Sequence, residues 1–293
     1  MTSLATDPTS VARQIADTRR LLSASLTDEL TTLAEPYVAG TGTLTLSTVP
    51  KRLGPGTVLS SGAATFYVLA NVSSQCTVIA GYEGNPDVNV AAGSVVRVSP
   101  RFTDYQLFTV LKSVIGSLSS PSNGLFGIAK WQDVRDDEMY PIPDALLPYI
   151  TRILQVRSKT TEDDWSIDGA YTVSLSPGSE YVRVYNYALM HEFVAAVKII
   201  PPADFNSDLI TYCGLTDTML DIPPYGAAAI LMNGQEARRV HMEAQGDPRR
   251  AEQVPMTGAT NAARELRRMF TDRINEEAVR IQQRVGVTKQ VLP

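Results

Sequence analysis

Histidine and cysteine are scarce in this chain: two of each in 293 residues. Cys76 and Cys213 lie far apart, each among apolar neighbours, so the expectation is two buried thiols and no disulfide scaffold. With only His191 and His241 to add, a zinc-type ligand set is not expected. No G-x-S-x-G elbow occurs, and no G-x-x-x-x-G-K-[ST] loop. The fragments Gly40-Thr41-Gly42 and Gly54-Pro55-Gly56 read as turns, because neither opens a helix as a phosphate loop must. No apolar run approaches the ~20 residues of a membrane span. The polar opening MTSLATDPTS lacks the basic start and apolar core of a signal peptide. Basic surplus is missing too: the net charge is -5, which gives no sign of a dedicated nucleic-acid binder. The expectations are no enzyme activity, no cofactor, no metal and no membrane partner, with synthesis in the cytoplasm.

What is present is ordinary in amount and informative in order. Hydrophobic residues make up 44% and charged residues 19%, which suits a globular chain with a proper core. Val11, Ile15, Leu22, Leu26, Leu30 and Leu33 recur at helical spacing, predicting a helix over 8–33 with Asp7 as its cap and Pro8 at its first position. From 42 to 100 the period changes to two. Short strands are predicted at Phe66–Ala70, Cys76–Ala80 and Val95–Val98, with a tight Asn71–Gln75 connection making the first two a hairpin. A module this small closes most easily as a compact barrel or curled sheet.

Thr103 or Asp104 then caps a helix over 104–118, which the Ser-Ser-Pro-Ser-Asn-Gly run at 119–124 ends. A second β-region follows over 125–201. Its strands are expected at Tyr149–Val156, Tyr171–Leu175, Tyr181–Tyr185 and Phe193–Ile200, as a small antiparallel sandwich. The remainder reads as helix: a short one over Asn206–Cys213, one from about Tyr225 to His241, and one from about Thr260 to Val285 stopped by Gly286. The fold class is therefore α+β. A helical core of N- and C-terminal helices is expected to carry two inserted antiparallel β-modules, one barrel-like and one sandwich-like. The expected divisions are 1–38, 39–102, 103–124, 125–204 and 205–293.

Few residues stand out as chemistry. His191, between two predicted strands, reads as a solvated turn histidine, and His241 as a partly packed helix residue. The acidic runs Asp136-Asp137-Glu138 and Glu162-Asp163-Asp164 lack the spacing and glycine of a calcium loop and read as solvated loops. The aromatics Trp165, Tyr171, Tyr181 and Tyr185 admit a carbohydrate-binding reading, against a plainer one of packing. From Glu236 to Arg284 the chain has ten arginines, eight acids and no lysine. Either this is a charged helix face with i,i+4 pairs, or it is an interface, since arginine makes bidentate contacts to carboxylates and phosphates. Arg264, Arg267, Arg268 and Arg273 are the candidate interface residues.

The segments Arg52-Leu53-Gly54-Pro55-Gly56-Thr57-Val58, Phe66-Tyr67-Val68 and Thr77-Val78-Ile79-Ala80-Gly81-Tyr82-Glu83-Gly84 resemble a stretch of neck proteins of long-tailed phages. Gly93-Ser94-Val95-Val96, Pro100-Arg101-Phe102-Thr103-Asp104 and Asp221-Ile222-Pro223-Pro224-Tyr225-Gly226-Ala227-Ala228 continue the likeness. The chain resembles head-to-tail adaptor (connector) proteins, particularly the larger ones of phages infecting actinobacteria, over nearly its full length. The resemblance implies a structural virion protein of the neck, forming a ring, commonly of twelve subunits. Such a ring docks beneath the portal protein, meets stopper or tail proteins, and lines part of the DNA channel with transient contact to the genome. It implies that the helix from Thr260 and the tail Val287–Pro293 reach the portal. Another virion component (a stopper, tail terminator or baseplate protein) is the alternative that the same plan allows.

Overall fold

A computed structural model describes residues 7, 9–23, 28–134, 138–161, 164–168, 171–176, 179–185, 188–246 and 259–285. The fold is mixed α+β with antiparallel sheets, one of them a half-barrel. The chain divides into two compact units: Met1–Val114 with Pro202–Ser207 and Pro223–Arg268, and Ile115–Pro201 with Asp208–Ile222 and Met269–Pro293.

The first unit opens with α1 (Val11–Ser23). Its cap is Ser10, whose Oγ accepts the Arg13 N–H at 3.2 Å, while Asp7 holds Thr9 in the turn before. The helix is shorter than its apolar spacing predicts. Glu29–Thr32 forms β1 instead, paired with β6 (Val95–Val98). Leu30 and Leu33 would share a helix face, but in extended chain they part: Leu30 is 55% exposed and Leu33 1%. The β-branched pair Thr31-Thr32 and the waiting edge of β6 outweigh local periodicity. Residues 24–27, including Leu26, lie outside the described residues.

Between β1 and β6 come β2 (Thr43–Thr45), β3 (Val58–Ser61), β4 (Ala64–Val72) and β5 (Gln75–Ala80). The sheet order is β1-β6-β3-β4-β5-β2. The expected hairpin is β4–β5, with Val72 opposite Gln75, so that Ser73-Ser74 alone turns the chain. Ser73 takes φ 56°, the positive value that tight hairpin turns require. Just past β1 and β2, Leu33 pairs with Leu46, so the two edge strands meet. The Ala34 and Ser47 N–H groups donate across this seam at 2.8 Å. Inside the curl sit Leu33, Tyr37, Leu44, Leu46, Leu59, Phe66, Val68, Cys76, Val78, Val96 and Val98. Tyr37 and Phe66 meet edge to face at 4.8 Å, a favoured aromatic geometry. Gly81 carries the chain into a short 3-10 turn, Tyr82–Gly84, at φ 70°. A Cβ there would stand 2.9 Å from the Asn85 carbonyl oxygen, so only glycine fits.

Helix α2 (Asp104–Ser117) begins with a capping box. The Gln106 N–H donates to Thr103 Oγ1 at 3.2 Å, and the Thr103 N–H donates to Gln106 Oε1 at 3.1 Å. The Asp104 N–H donates to Ser60 Oγ of β3 at 3.0 Å, which seats the helix on the sheet. Asp104 also belongs to a ring of four charges. Arg19 of α1 lies 2.8 Å from Asp28 and 2.6 Å from Asp104, and Arg97 of β6 lies 3.5 Å from each. The four side chains are between 12% and 26% exposed. A third bond from Arg19, to the Phe102 carbonyl at 3.0 Å, completes the clamp.

In the second unit, β7 (Gly127–Asp133), β9 (Ile150–Thr161), β10 (Asp164–Ile167) and β13 (Met190–Val197) form a sheet in the order β10-β9-β13-β7. A second sheet, β11-β12-β8, holds β8 (Met139–Pro141), β11 (Tyr171–Ser176) and β12 (Ser179–Val184). One core draws on both: Ile153, Val156, Phe193 and Ala195 from the first, Tyr140, Val182 and Val184 from the second. This is the sandwich arrangement. The predicted helix over Asn206–Cys213 is absent. Asp208 caps no more than a short turn: its Oδ1 accepts the N–H groups of Ile210 at 2.9 Å and Thr211 at 2.6 Å, the Tyr212 N–H reaches the Asp208 carbonyl at 3.1 Å, and Gly214 at φ 77° ends it.

Two long helices follow, α3 (Ile222–Gly246) and α4 (Ala259–Val285). Pro223 and Pro224 fall in the first turn of α3, where a missing N–H leaves no bond unmade. Residues 247–258 and the tail Val287–Pro293 lie outside the described residues.

The ring of charges yields a stability prediction. Arg19→Ala leaves two half-buried aspartates facing only Arg97, and should lower unfolding free energy by about 2–4 kcal/mol. Urea titration followed by circular dichroism measures this; a loss below about 0.5 kcal/mol would show that the ring is incidental.

Candidate functional site

The four arginines singled out in the sequence all lie on α4, and the structure sorts them into two groups. Arg264, Arg267 and Arg268 are exposed within little more than one turn. Arg268 is held at 2.6 Å by Glu265, three residues back on its own helix. Arg273 follows five residues later, about 140° further round the helix, and turns to its own chain. Its Nε donates to Asp221 at 2.7 Å and its Nη2 to the Thr218 carbonyl at 3.2 Å, while Glu276 closes on Nη1. These bonds, to Asp221 first and then Glu276, push its pKa still higher than usual.

One turn further on, Glu277 is 2% exposed and accepts a bond from Thr218 Oγ1 at 2.6 Å. Arg280 stands 3.9 Å from the same carboxylate. Ile274 and Ile281 bury beside it at 4% and 3%. Asp217–Met219 is itself a short 3-10 turn, so Arg273 and Glu277 grip its backbone and side chain together. Arg273 and Glu277 therefore anchor the C-terminal half of α4 to residues 216–221. The sequence pattern marked Arg273 as charged and helical, but could not show that its partner, Asp221, lay 52 residues away.

His191 is a correction. It is not a solvated turn residue: it is 1% exposed on β13, with Tyr140 ring-to-ring at 4.8 Å and the Asp168 carboxylate 4.0 Å from its Nε2. β13 begins at Met190, one residue before it, and period two then sets His191 on the same face as Phe193 and Ala195, into the core. The side chain of His241 lies outside the described residues. Of the acidic runs, Glu138 pairs with Arg183 at 2.6 Å; residues 136–137 and 162–163 are outside the described set. Among the described residues no three His, Cys, Asp or Glu side chains gather as a metal site. No helix among them is long and apolar enough to cross a membrane.

The aromatics of the carbohydrate reading do not converge. Tyr171 packs on the sandwich core, where burial raises its pKa. Tyr185 is 55% exposed beneath the Arg183 guanidinium at 5.4 Å. Trp165 is on the other sheet, with Lys159 6.0 Å above its ring. The first unit does hold a cleft of about 610 Å³, lined by Asn85, Phe102, Tyr105 and Val110 on one side and Ile230 and Leu231 of α3 on the other. Arg101 is the one charged residue in its lining, so it offers no acid–base pair.

The two thiols are inert by environment. Burial, with a smaller contribution from Asp208, pushes the Cys213 thiol up to about 12, and burial raises Cys76. A raised thiol pKa keeps the neutral form: its contribution to stability is complete below the unfolded value and is lost as pH climbs towards 12. Native protein at pH 8 should therefore take up no iodoacetamide at either position within the time that urea-unfolded protein takes up two equivalents. Mass spectrometry reads the difference, and rapid native labelling of Cys213 would contradict its buried placement. No protein-family model matches the chain, and no curated protein matches it.

Proposed function

We propose that this chain is a non-enzymatic head-to-tail adaptor of a bacteriophage neck, one subunit of a closed ring beneath the portal. By family resemblance the ring is a dodecamer. In this reading the terminal helices form the frame of the ring and the β-modules are built into it. The observation that carries the proposal is the division of α4. Its C-terminal half is bound to residues 216–221 by Arg273 and Glu277, and the preceding turns carry the exposed side chains of Arg264, Arg267 and Arg268, the last of them paired with Glu265. An anchored helix with an exposed arginine row suits docking on an acidic partner surface, because long-range charge steers and orients association. A closed ring of identical subunits requires one heterologous contact repeated around an axis. The segments that resemble neck proteins run from Arg52 to Ala228 and add support from the sequence side.

The test pairs binding with stability. The purified chain, alone and mixed with the portal protein of the same virion, is examined by native mass spectrometry, and the particle by electron cryomicroscopy. The expected results are a ring-sized species, capture by the portal, and density for this chain at the head–tail junction. A chain that stays monomeric and never binds portal, or density at the baseplate, would sink the reading.

Two variants separate docking from folding. Arg264→Glu with Arg267→Glu should weaken portal capture at least about tenfold with an unchanged melting temperature. Arg273→Ala should lower stability by about 1–2 kcal/mol, because it strips a bidentate partner from Asp221.

A further inference from the structure

We propose that the open edge of β11 is a self-association site, where two copies of this chain join strand to strand, antiparallel, about a two-fold axis at Val173. An edge strand presents unpaired N–H and C=O groups, and proteins blunt such edges with closure, short strands, bulges, proline or charge. The first unit uses closure, since its edges meet at Leu33 and Leu46. In the second unit β8 has three residues and ends on Pro141, and β10 has four with a register shift after Asp164. β7 carries Lys130 and Asp133. β11, Tyr-Thr-Val-Ser-Leu-Ser, has none of these devices. It pairs over six residues with β12 without a bulge or a charge, and among the described residues no strand lies on its other side.

The hydrogen bonds of the sheet say which groups face that open side. The Val184 N–H donates to the Glu138 carbonyl at 3.0 Å, and the Ile142 N–H to the Glu180 carbonyl at 3.3 Å. The even-numbered residues of β12 therefore bond towards β8. Tyr181 and Arg183 bond towards β11, where they stand opposite Ser174 and Thr172. Bonding sides alternate along an antiparallel strand. That leaves the N–H and C=O groups of Tyr171, Val173 and Leu175 turned to the open side.

The occupant is a second copy because β11 is its own complement. With the axis at Val173, Tyr171 meets Leu175 of the second copy and Val173 meets its own equivalent, so every outward group finds a bond. The side chains agree with this register. Tyr171 and Val173 pack on the sandwich core, and Leu175 shares their face at 42% exposure, so the apolar face continues across the axis and covers Leu175. On the other face Thr172 stands opposite Ser174, a favourable hydroxyl pair. A register that paired odd with even residues would set apolar against polar side chains. No like charges meet, since β11 carries none. A contact over Tyr171–Leu175 alone belongs to the small, transient class below about 1,200 Å², so the pair depends on concentration. It closes at two copies, is separate from the heterologous contact of a ring, and does not rest on the adaptor reading.

Cysteine cross-linking tests the register. Thr172 and Ser174 of opposite copies would form a non-hydrogen-bonded pair with Cα atoms about 4.5 Å apart, within disulfide reach. Chains with Thr172→Cys and with Ser174→Cys are purified separately, mixed and mildly oxidised. Non-reducing gels and intact mass should show the mixed dimer, with neither variant linking to itself. Sedimentation velocity of the parent chain should show a dimer that grows with concentration. Thr172→Glu with Ser174→Glu sets like charges opposite each other and should weaken that association about tenfold. Thr172→Glu with Ser174→Lys sets opposite charges there and should restore it, each variant melting at the parent temperature. Where a charged variant fails to fold, the near-isosteric cysteine variants carry the test. The proposal is overturned if no mixed dimer forms, if the single variants link to themselves as readily, or if a folded glutamate pair leaves association unchanged. Portal capture is read separately. Portal binding without the mixed dimer removes this inference alone, and the mixed dimer without portal capture removes the adaptor reading and leaves the edge contact intact.

Discussion

The first unit depends on a ring of four alternating charges. Arg19, Asp28, Arg97 and Asp104 come from α1, the segment before β1, β6 and the first turn of α2. Each arginine meets both aspartates, so no side chain can leave without exposing two others to a half-buried environment. Such rings gain little net energy over an apolar core of the same shape, but they are strict about position. Apolar packing would tolerate α1 or α2 sliding along the sheet by part of a turn. A two-arginine, two-aspartate ring does not, and the Arg19 bond to the Phe102 carbonyl fixes the backbone at the helix start as well. The capping box at Thr103 and the Ser60 hydroxyl then have a fixed target.

The second unit solves the same problem by a different device. The start of β7 and the turn at Gly214 approach so closely that a side chain is excluded: a Cβ on Gly127 would stand 2.6 Å from the Gly214 carbonyl oxygen. Glu277, buried among the described residues, accepts a threonine hydroxyl at 2.6 Å and pairs with Arg280 only at 3.9 Å. Polar groups thus set register in both units, and aliphatic and aromatic packing supplies the bulk of the stabilisation.

Much of the fold was legible in the residues. The cap at Thr103 or Asp104, the turn-rich run 119–124 and the 3.6-residue spacing from Leu266 to Ile281 are local signals, and local signals delimit these helices well. The β4–β5 hairpin was equally readable, since both strands and their turn are contiguous. What escaped was set by distance in sequence. β1 is a strand because β6 lies beside it, and nothing within 29–32 announces that partner. The predicted helix over 206–213 shrinks for a local reason instead: Asp208 caps it only at its third residue, and Gly214 in the left-handed region ends it a turn later. His191 was misplaced by a shift of the strand start, and period two turns such a shift into an inversion of faces. The arginines illustrate the same limit. Composition singled out α4, but only the fold distinguishes Arg273, bound to Asp221, from Arg264 and Arg267, whose side chains are exposed.

The seam between Leu33 and Leu46 has a consequence for the order in which the first unit forms. β1 is made early, but its ladder partner β6 ends at Val98, more than sixty residues later. Until then β1 has no partner on that side, and only the β3–β4–β5–β2 part of the sheet can assemble. Contacts of such long sequence separation slow folding, because the loop must be closed before the pairing rewards it. The curl should therefore close last, in one step that joins β1 to β6, docks Leu33 on Leu46 and brings Arg97 within reach of Asp28. On the ribosome, that makes the emergence of residue 98 and the helix behind it the event that commits the module to its native state.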